Sequence, residues 1–455
     1  MQKAIDLIGE VITTTITGLD ESFRGTCEFE GLTLYVEGGT PGDRLDVRID
    51  SVSRHHPMAY GTIEEAHEWG ESVLSPPCPR AAPIRGRCGG CPGMHLKPEV
   101  QDRVRREHVE ATLEGLSEDI RWHETENRLG YRNRSNYAVT RRRDGDVILG
   151  SFAPRSRKIV SMKGCLVARP IIAEVQEILR RMIFSREIPT NDSEGALRWL
   201  SLRASDTDQV VIELVTTDEE PLWLEHFAHA LMKIRPVKGV AVSFHDDDTN
   251  AIRDSIPRTI AGDATIRETF GAIRVDVPPG AFAQLNTEVA SEMYLNAAEL
   301  VDGPGVVWDL YGGLGGLGLN VALRHPGTKV YGADSVAESI EEANNAAARH
   351  ELDADYRVVN LKKDFPADWP TPDTVIVNPP RRGLDKNVIK NLSSSPAKSI
   401  IYMSCDVSSF AKDVKKLAAA GWRLGPVEVY DMLPQTAHVE ILAQILKERP
   451  LRRPA

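Results

Sequence analysis

The chain lacks any run of about 18 apolar residues free of charge, which excludes a membrane-spanning helix. It also lacks the apolar stretch of a signal peptide. The N-terminal MQKAIDLIGEVITTTITGLDE carries Asp6 and Glu10 where that stretch would lie, and it reads as the start of a folded domain in the cytoplasm. No internal repeat and no low-complexity tract is visible, which sets aside repeat architectures. Positive charge is in deficit: 66 acidic against 55 basic residues give a net −11. Taken alone, that argues against a nucleic-acid partner, because phosphate contact requires cations. Cysteine is scarce, with six in 455 residues, and in a cytoplasmic protein these are not expected to pair as disulfides. No flavin or hydride-transfer site is recognisable, so a redox enzyme finds no support.

What is present is the composition of a soluble globular protein, with 41% apolar and 27% charged residues. The length allows about two to four domains. The charge average hides an asymmetry. Between Asn127 and Lys163 there are ten Lys/Arg and two acids, Asp144 and Asp146, a local charge of 10 − 2 = +8. Tyr131, Tyr137 and Phe152 interleave there with Arg132, Arg134, Arg141, Arg142, Arg143, Arg155 and Arg157. A solvated basic face is the plain alternative. Aromatic groups among cations instead suit stacking on unpaired bases together with phosphate contact, that is, RNA.

Three textures follow one another. Residues 1–68 read as short strands (VITTTIT, CEFEGLTLYVE, RLDVRIDSV) separated by turns, SRHHPMAYG among them, which predicts a small barrel of oligonucleotide-binding type. Residues 69–280 begin with a Pro/Gly-rich loop and a charged amphipathic helix, KPEVQDRVRREHVEATLEGL, which can pack on the catalytic domain. A mixed region follows, with a hairpin turning at Asp144-Gly145, a helix over 170–183, and paired strands in WLSLRAS and QVVIELVTT. The third unit is 281–455. From about residue 303 it alternates buried strands (VVWDLYGG, KVYGADS, DTVIVNPP, SIIYMSC) with helices such as SVAESIEEANNAAARH, the pattern of a doubly wound α/β sheet.

In VVWDLYGGLGGLGLNVA a strand ends in Asp309 and opens into a glycine turn before a helix, which suits close approach of a cofactor. Asp334 ends the next strand, where an acid can hold ribose hydroxyls. Such turns serve NAD, FAD and S-adenosylmethionine alike. The Asn-Pro-Pro of VIVNPPRRG is frequent in methyltransferases and foreign to dinucleotide binders. IIYMSCDVSS places Cys405 just past a buried strand, at the carboxyl edge where these folds bind ligands. TAHVEILAQI places Glu440 in an apolar run, where burial raises a carboxyl pKa toward a base's range. A thiolate adding to carbon 6 of uracil makes carbon 5 nucleophilic enough to take a methyl group, and a base must then remove the carbon-5 proton. Cys78, Cys88 and Cys91, with Cys165 distant, offer four soft ligands for zinc or an iron–sulfur cluster, and spacing does not choose between them.

Over nearly its whole length the chain resembles the RNA uracil-5 methyltransferases, and among them the ribosomal RNA members that carry an iron–sulfur cluster. LGYRNRSNYAV, PPGAFAQLN, DLYGGLGG, SCD and HVE follow in the family's order. The resemblance implies a class I Rossmann-like methyltransferase domain, an N-terminal TRAM barrel and a central α+β domain with a [4Fe-4S] cluster on Cys78, Cys88, Cys91 and Cys165. It implies S-adenosylmethionine held by Gln284, Tyr311, Gly316, Asp334, Asn360 and Asn378, with Cys405 as nucleophile and Glu440 as base. Arg132 is then expected nearest the target uridine, and Arg134, Arg141, Arg142 and Arg143 on RNA, with ribosomal RNA favoured over transfer RNA, no membrane and a monomeric enzyme. Three features depart from the family pattern: a first Cys spacing wider than C-x5-C, Gly312 where a Cys is common, and Asn378 in place of the usual Asp, which keeps hydrogen-bonding geometry but loses the charge. The alternatives are a transfer-RNA uridine methyltransferase, an amino-nitrogen methyltransferase gripping its amine with Asn-Pro-Pro, and a non-catalytic RNA-binding protein. The amino-nitrogen class needs no nucleophilic Cys and usually has an aromatic where Arg381 stands.

Overall fold

The structure is a computed structural model. It describes residues 7–447 except 82, 85, 191, 192, 194, 246–251, 254 and 367, so Asp6 and the end of the third unit lie outside the described residues. Three sheets carry the architecture. The first has six strands, and one run of chain supplies both of its edges. Val11–Thr15 pairs antiparallel with Arg44–Val52 at one end, and Gly18–Leu19 pairs with Arg24–Phe29 at the other. Its core is Ile16, Leu34, Val36, Leu45, Val47, Ile49 and Ile63, the alternate positions of β-branched and aliphatic strands. The segment read as a turn, SRHHPMAYG, is one only as far as Pro57. Met58–Glu68 is a strand of 11 residues, because Ala59, Gly61 and Ile63 alternate inward behind the His-His-Pro turn.

The second sheet has seven strands. It contains the hairpin Arg134–Arg141 and Val147–Phe152, with Arg141 opposite Val147 and Gly145 at φ +88° in the turn. Leu197–Ala204 pairs with Val210–Thr216 as expected, and the helix Pro170–Ser185 covers the face. The third sheet has eight strands. Its parallel part runs Ala354–Val358, Lys329–Asp334, Val306–Leu310, Thr374–Val377, Ser399–Ser404. These strands read as continuous apolar runs because helices cover both faces. The antiparallel Glu440–Lys447 and Trp422–Tyr430 extend the sheet.

The catalytic layer draws chain from before residue 281. Ile120–His123 adds an edge strand beside Trp422–Tyr430, and Val109 and Leu113 of the helix Pro98–Leu113 enter its core. Arg105 of that helix donates to Asp431 at 2.5 Å, a buried ion pair. The hairpin Ile266–Val277 packs into a second core of the same sheet through Phe270, Ile273, Val275 and Val277. The first sheet is pinned through Phe23, fully buried against Leu96, Val100 and Val104. Gly93 is glycine for that reason: a Cβ there would come within 2.8 Å of the Phe23 ring. Among the described residues no helix is long and apolar enough to cross a membrane.

Candidate active site

The carboxyl edge of the parallel strands gathers the site. Val306–Leu310 ends in a turn in which Tyr311, Gly313 and Gly315 all have positive φ (60°, 52° and 77°). Asp309 is buried inside that turn. Its Oδ2 accepts from the Gly318 amide at 3.1 Å and from the Tyr356 hydroxyl at 2.9 Å, so the acid braces the loop from beneath. Burial lifts its pKa to about 6 despite those two bonds. Asp334 faces the same turn, accepting from the Gly313 and Val336 amides at 3.1 Å each. Gly316 begins the helix Gly316–Arg324 against Tyr294, and Gln284 lies buried near that tyrosine. The Tyr311 hydroxyl donates to Asp385 at 3.2 Å. Asn360 is exposed in the loop after Ala354–Val358, and Asn378 follows Thr374–Val377 with its amide on the Leu310 carbonyl at 3.3 Å. Tyr311, Gly316 and Asp334 thus meet at the glycine turn, while Asn360 and Asn378 follow the carboxyl ends of two other strands of the sheet.

Cys405 and Glu440 meet across the sheet. Ser404 is opposite Ile441 in the antiparallel ladder, and one step further that register brings Cys405 beside Glu440. Burial pushes the Cys405 thiol up to about 11, the Glu440 charge adds to it, and the Arg381 cation opposes it. Burial likewise raises Glu440, 8% exposed, to about 8 against the pull of Arg381. Arg381 also reaches His438 Nε2 at 3.5 Å. Neither Arg381, whose charge acts on both Cys405 and Glu440, nor His438 was legible as a site residue. The Arg-Arg after Asn-Pro-Pro and the His two residues before Glu440 are the signals that could have found them.

The loop 432–438 leading to Glu440 is held from the second layer. The Tyr131 hydroxyl donates to Pro434 O at 2.9 Å, Asn286 Nδ2 to Met432 O at 3.2 Å, and the Gly93 amide to Gln435 O at 3.0 Å. Arg132 is largely buried between Tyr131, Cys91 and Cys165, and its charge reaches His438. Asn133 donates to the Gln284 carbonyl at 2.8 Å, which fixes the Ala283-Gln284 segment at the cleft. Phe282, 71% exposed, stands just before it.

The four cysteines line one small cavity with Arg80, Met94 and Met162. Burial pushes the Cys91 thiol up to about 12. Among the described residues no group of three or more His, Cys, Asp or Glu is placed to hold a metal ion, so the expected ligand set is gathered without being closed. The arginine triplet also divides. Arg141, expected on phosphate, spends its guanidinium on the carbonyls of Gly145, Ile183 and Ile188 at 3.0, 3.5 and 3.3 Å, while Arg142 and Arg143 are exposed at the hairpin tip. Arg134 turns inward, its Nε donating to Ser201 at 3.0 Å.

A doubly wound sheet with a glycine turn, an acid after the second strand and Asn-Pro-Pro after the fourth is a methyltransferase architecture. The family model for the methyltransferase small domain matches residues 272–398, and that for tRNA (uracil-5-)-methyltransferase matches 354–448. An RNA methyltransferase of Parasynechococcus marenigrum is 31% identical, with 93% of each chain covered, and one of Halalkalibacterium halodurans is 28% identical over 97% of each. Among solved structures, the tRNA (uracil-54, C5)-methyltransferase of Pyrococcus abyssi in complex with S-adenosyl-L-homocysteine superposes with TM-score 0.78 at 26% identity. The match covers 95% of this chain and 99% of that one. The chain belongs to the RNA uracil-5 methyltransferase family and is an enzyme.

Proposed function

We propose that the protein transfers the methyl group of S-adenosylmethionine to carbon 5 of a uridine in RNA, ribosomal RNA in preference to transfer RNA. The carrying observation is the meeting of Cys405 and Glu440 across the sheet, at the edge that also holds the glycine turn. Cys405, having lost its proton, adds as thiolate to uracil carbon 6, and the enolate so formed takes the methyl group at carbon 5, leaving the cofactor as the thioether S-adenosylhomocysteine. Glu440, as carboxylate, removes the carbon-5 proton, and elimination expels the Cys405 thiolate. Gln284, Tyr311, Gly316, Asp334, Asn360 and Asn378 hold the cofactor. Asn378 does so as a neutral hydrogen-bonding group, with Arg381 supplying charge nearby.

The barrel of residues 1–68 and the segment Asn127–Lys163 form the RNA face of a monomeric cytoplasmic enzyme, with residues 69–280 between barrel and catalytic domain. A [4Fe-4S] cluster fits the cysteine cavity, whose four sulfurs come with no carboxylate or imidazole among the walls. Four thiolates around four irons and four sulfides stay further apart than around a single zinc. Bound there, the cluster would act structurally, tying the loop 78–91 to the turn at Cys165. The likeness to a transfer-RNA enzyme over 95% of the chain supports the second reading, a transfer-RNA uridine. Mapping 5-methyluridine in RNA from cells lacking the protein decides. Loss at a ribosomal uridine supports the first reading, loss in transfer RNA the second, and loss at neither rejects both.

A further inference from the structure

Beside the catalytic edge, the second sheet forms a small, partly open pocket walled by Arg134, Ser201, Arg203, Glu213, Gly280 and Ala281. Arg203 is opposite Arg134 in the ladder and is 6% exposed, yet neither of its terminal guanidinium nitrogens has a hydrogen-bond partner. A buried cation without partners is among the costliest groups a fold can carry, so its place needs a reason. The nearby carboxylates do not supply one. Glu213 accepts from Arg253 Nη1 with both oxygens at 2.7 Å, and from Ser243 Oγ at 2.7 Å. Glu268 faces Arg169 at 3.7 Å. Arg134, Arg169, Arg203 and Arg253 against Glu213, Glu268 and Asp206 leave an excess of one positive charge around the pocket (4 − 3) among these groups. Burial and the Arg134 charge lower Arg203 to about 9. An anion entering the cavity would relieve both.

We infer that this cavity is a phosphate subsite, in which Arg203 and Arg134 hold one backbone phosphodiester of a nucleotide flanking the target. The inference rests on the RNA reading above. Its position supports it: the wall at Gly280 and Ala281 runs directly into exposed Phe282 and into Gln284 at the cleft. Arg134 follows two residues after Arg132, and on extended backbone such side chains leave on one face, roughly 7 Å apart, about one nucleotide step.

The test uses the full chain, inorganic phosphate and the Arg203→Met variant. Phosphate, added at constant ionic strength, is expected to raise the Tm of the wild type and leave that of Arg203→Met unmoved. In phosphate-free buffer the variant should be at least as stable as the wild type, since it replaces an unpaired buried cation with an apolar chain of similar reach. With single-stranded RNA, the variant should show a several-fold higher KM and a salt slope smaller by about 0.7, the value of one lost phosphate contact. A wild type that gains nothing from phosphate overturns the subsite. So does a less stable variant with unchanged phosphate response, KM and salt slope, because Arg203 is then structural. In either case methylation by the wild type keeps the uridine reading standing, whereas a wild type that methylates no RNA overturns that reading itself.

Discussion

Cys405 and Glu440 are both neutral at pH 7 for the same reason, burial in the protein at the sheet edge. A neutral acid removes no proton, so turnover should rise with pH as Glu440 ionises through about 8. A rate flat from pH 6 to 9 would exclude Glu440 as the base. The same shift acts on stability. Folded Glu440 binds its proton more tightly than the ordinary carboxyl at 4.5, so the folded state loses stability as pH rises from there toward about 8. The loss is at most about 1.4 kcal/mol per pH unit. Glu440→Gln should remove that decline in denaturation curves at pH 5 and 8, and should accumulate covalent RNA–protein complex, because attack survives and elimination does not. Cys405→Ala should abolish methyl transfer and leave cofactor affinity within about twofold by calorimetry, since the sulfur acts on the base. Cys405 and Glu440 were legible as candidates because each is an odd residue in an apolar run. Arg381 was not, because its effect on both is exerted across strands that are distant in sequence.

At the scale of elements, the parallel strands and the hairpin were readable from composition. Buried strands are unbroken apolar runs, and Asp144-Gly145 fits a turn that needs positive φ at the glycine. The strand Ile120–His123 was not readable. It has four residues, and only its register beside Trp422–Tyr430 makes it part of the catalytic sheet. The hairpin tip separates the arginines by placement, with Arg141 held on carbonyls and Arg142 and Arg143 exposed. Arg142→Glu with Arg143→Glu should weaken RNA binding and lower the salt slope by roughly 0.7 to 0.9 per lost phosphate contact, with S-adenosylmethionine affinity unchanged. Arg141→Ala should instead lower Tm, since it releases three carbonyls, at a cost of about 1–3 kcal/mol, and should leave the salt slope alone. The reverse pattern would move the phosphate contacts to Arg141.

Across the whole molecule, the acidic net charge and the basic segment are reconciled by separation. The excess of cations is local to Asn127–Lys163 and to the arginines of the second sheet. The cysteine cavity lies where the layers meet, packed with Tyr131 and Leu433, and Leu433 sits in the loop that leads to Glu440. Protein purified without oxygen should carry about four iron and four sulfide per chain. Zinc in their place would reject the cluster. The proposed reaction requires a sulfur–carbon bond between Cys405 and the uridine. Incubation with S-adenosylmethionine and RNA bearing 5-fluorouridine blocks proton removal, so a stalled adduct should form, and digestion followed by mass spectrometry should place fluorouridine and one methyl group on the peptide containing Cys405. An enzyme that methylates uridine-containing RNA yet forms no adduct with the fluorinated RNA, or forms it on another residue, would contradict the central claim.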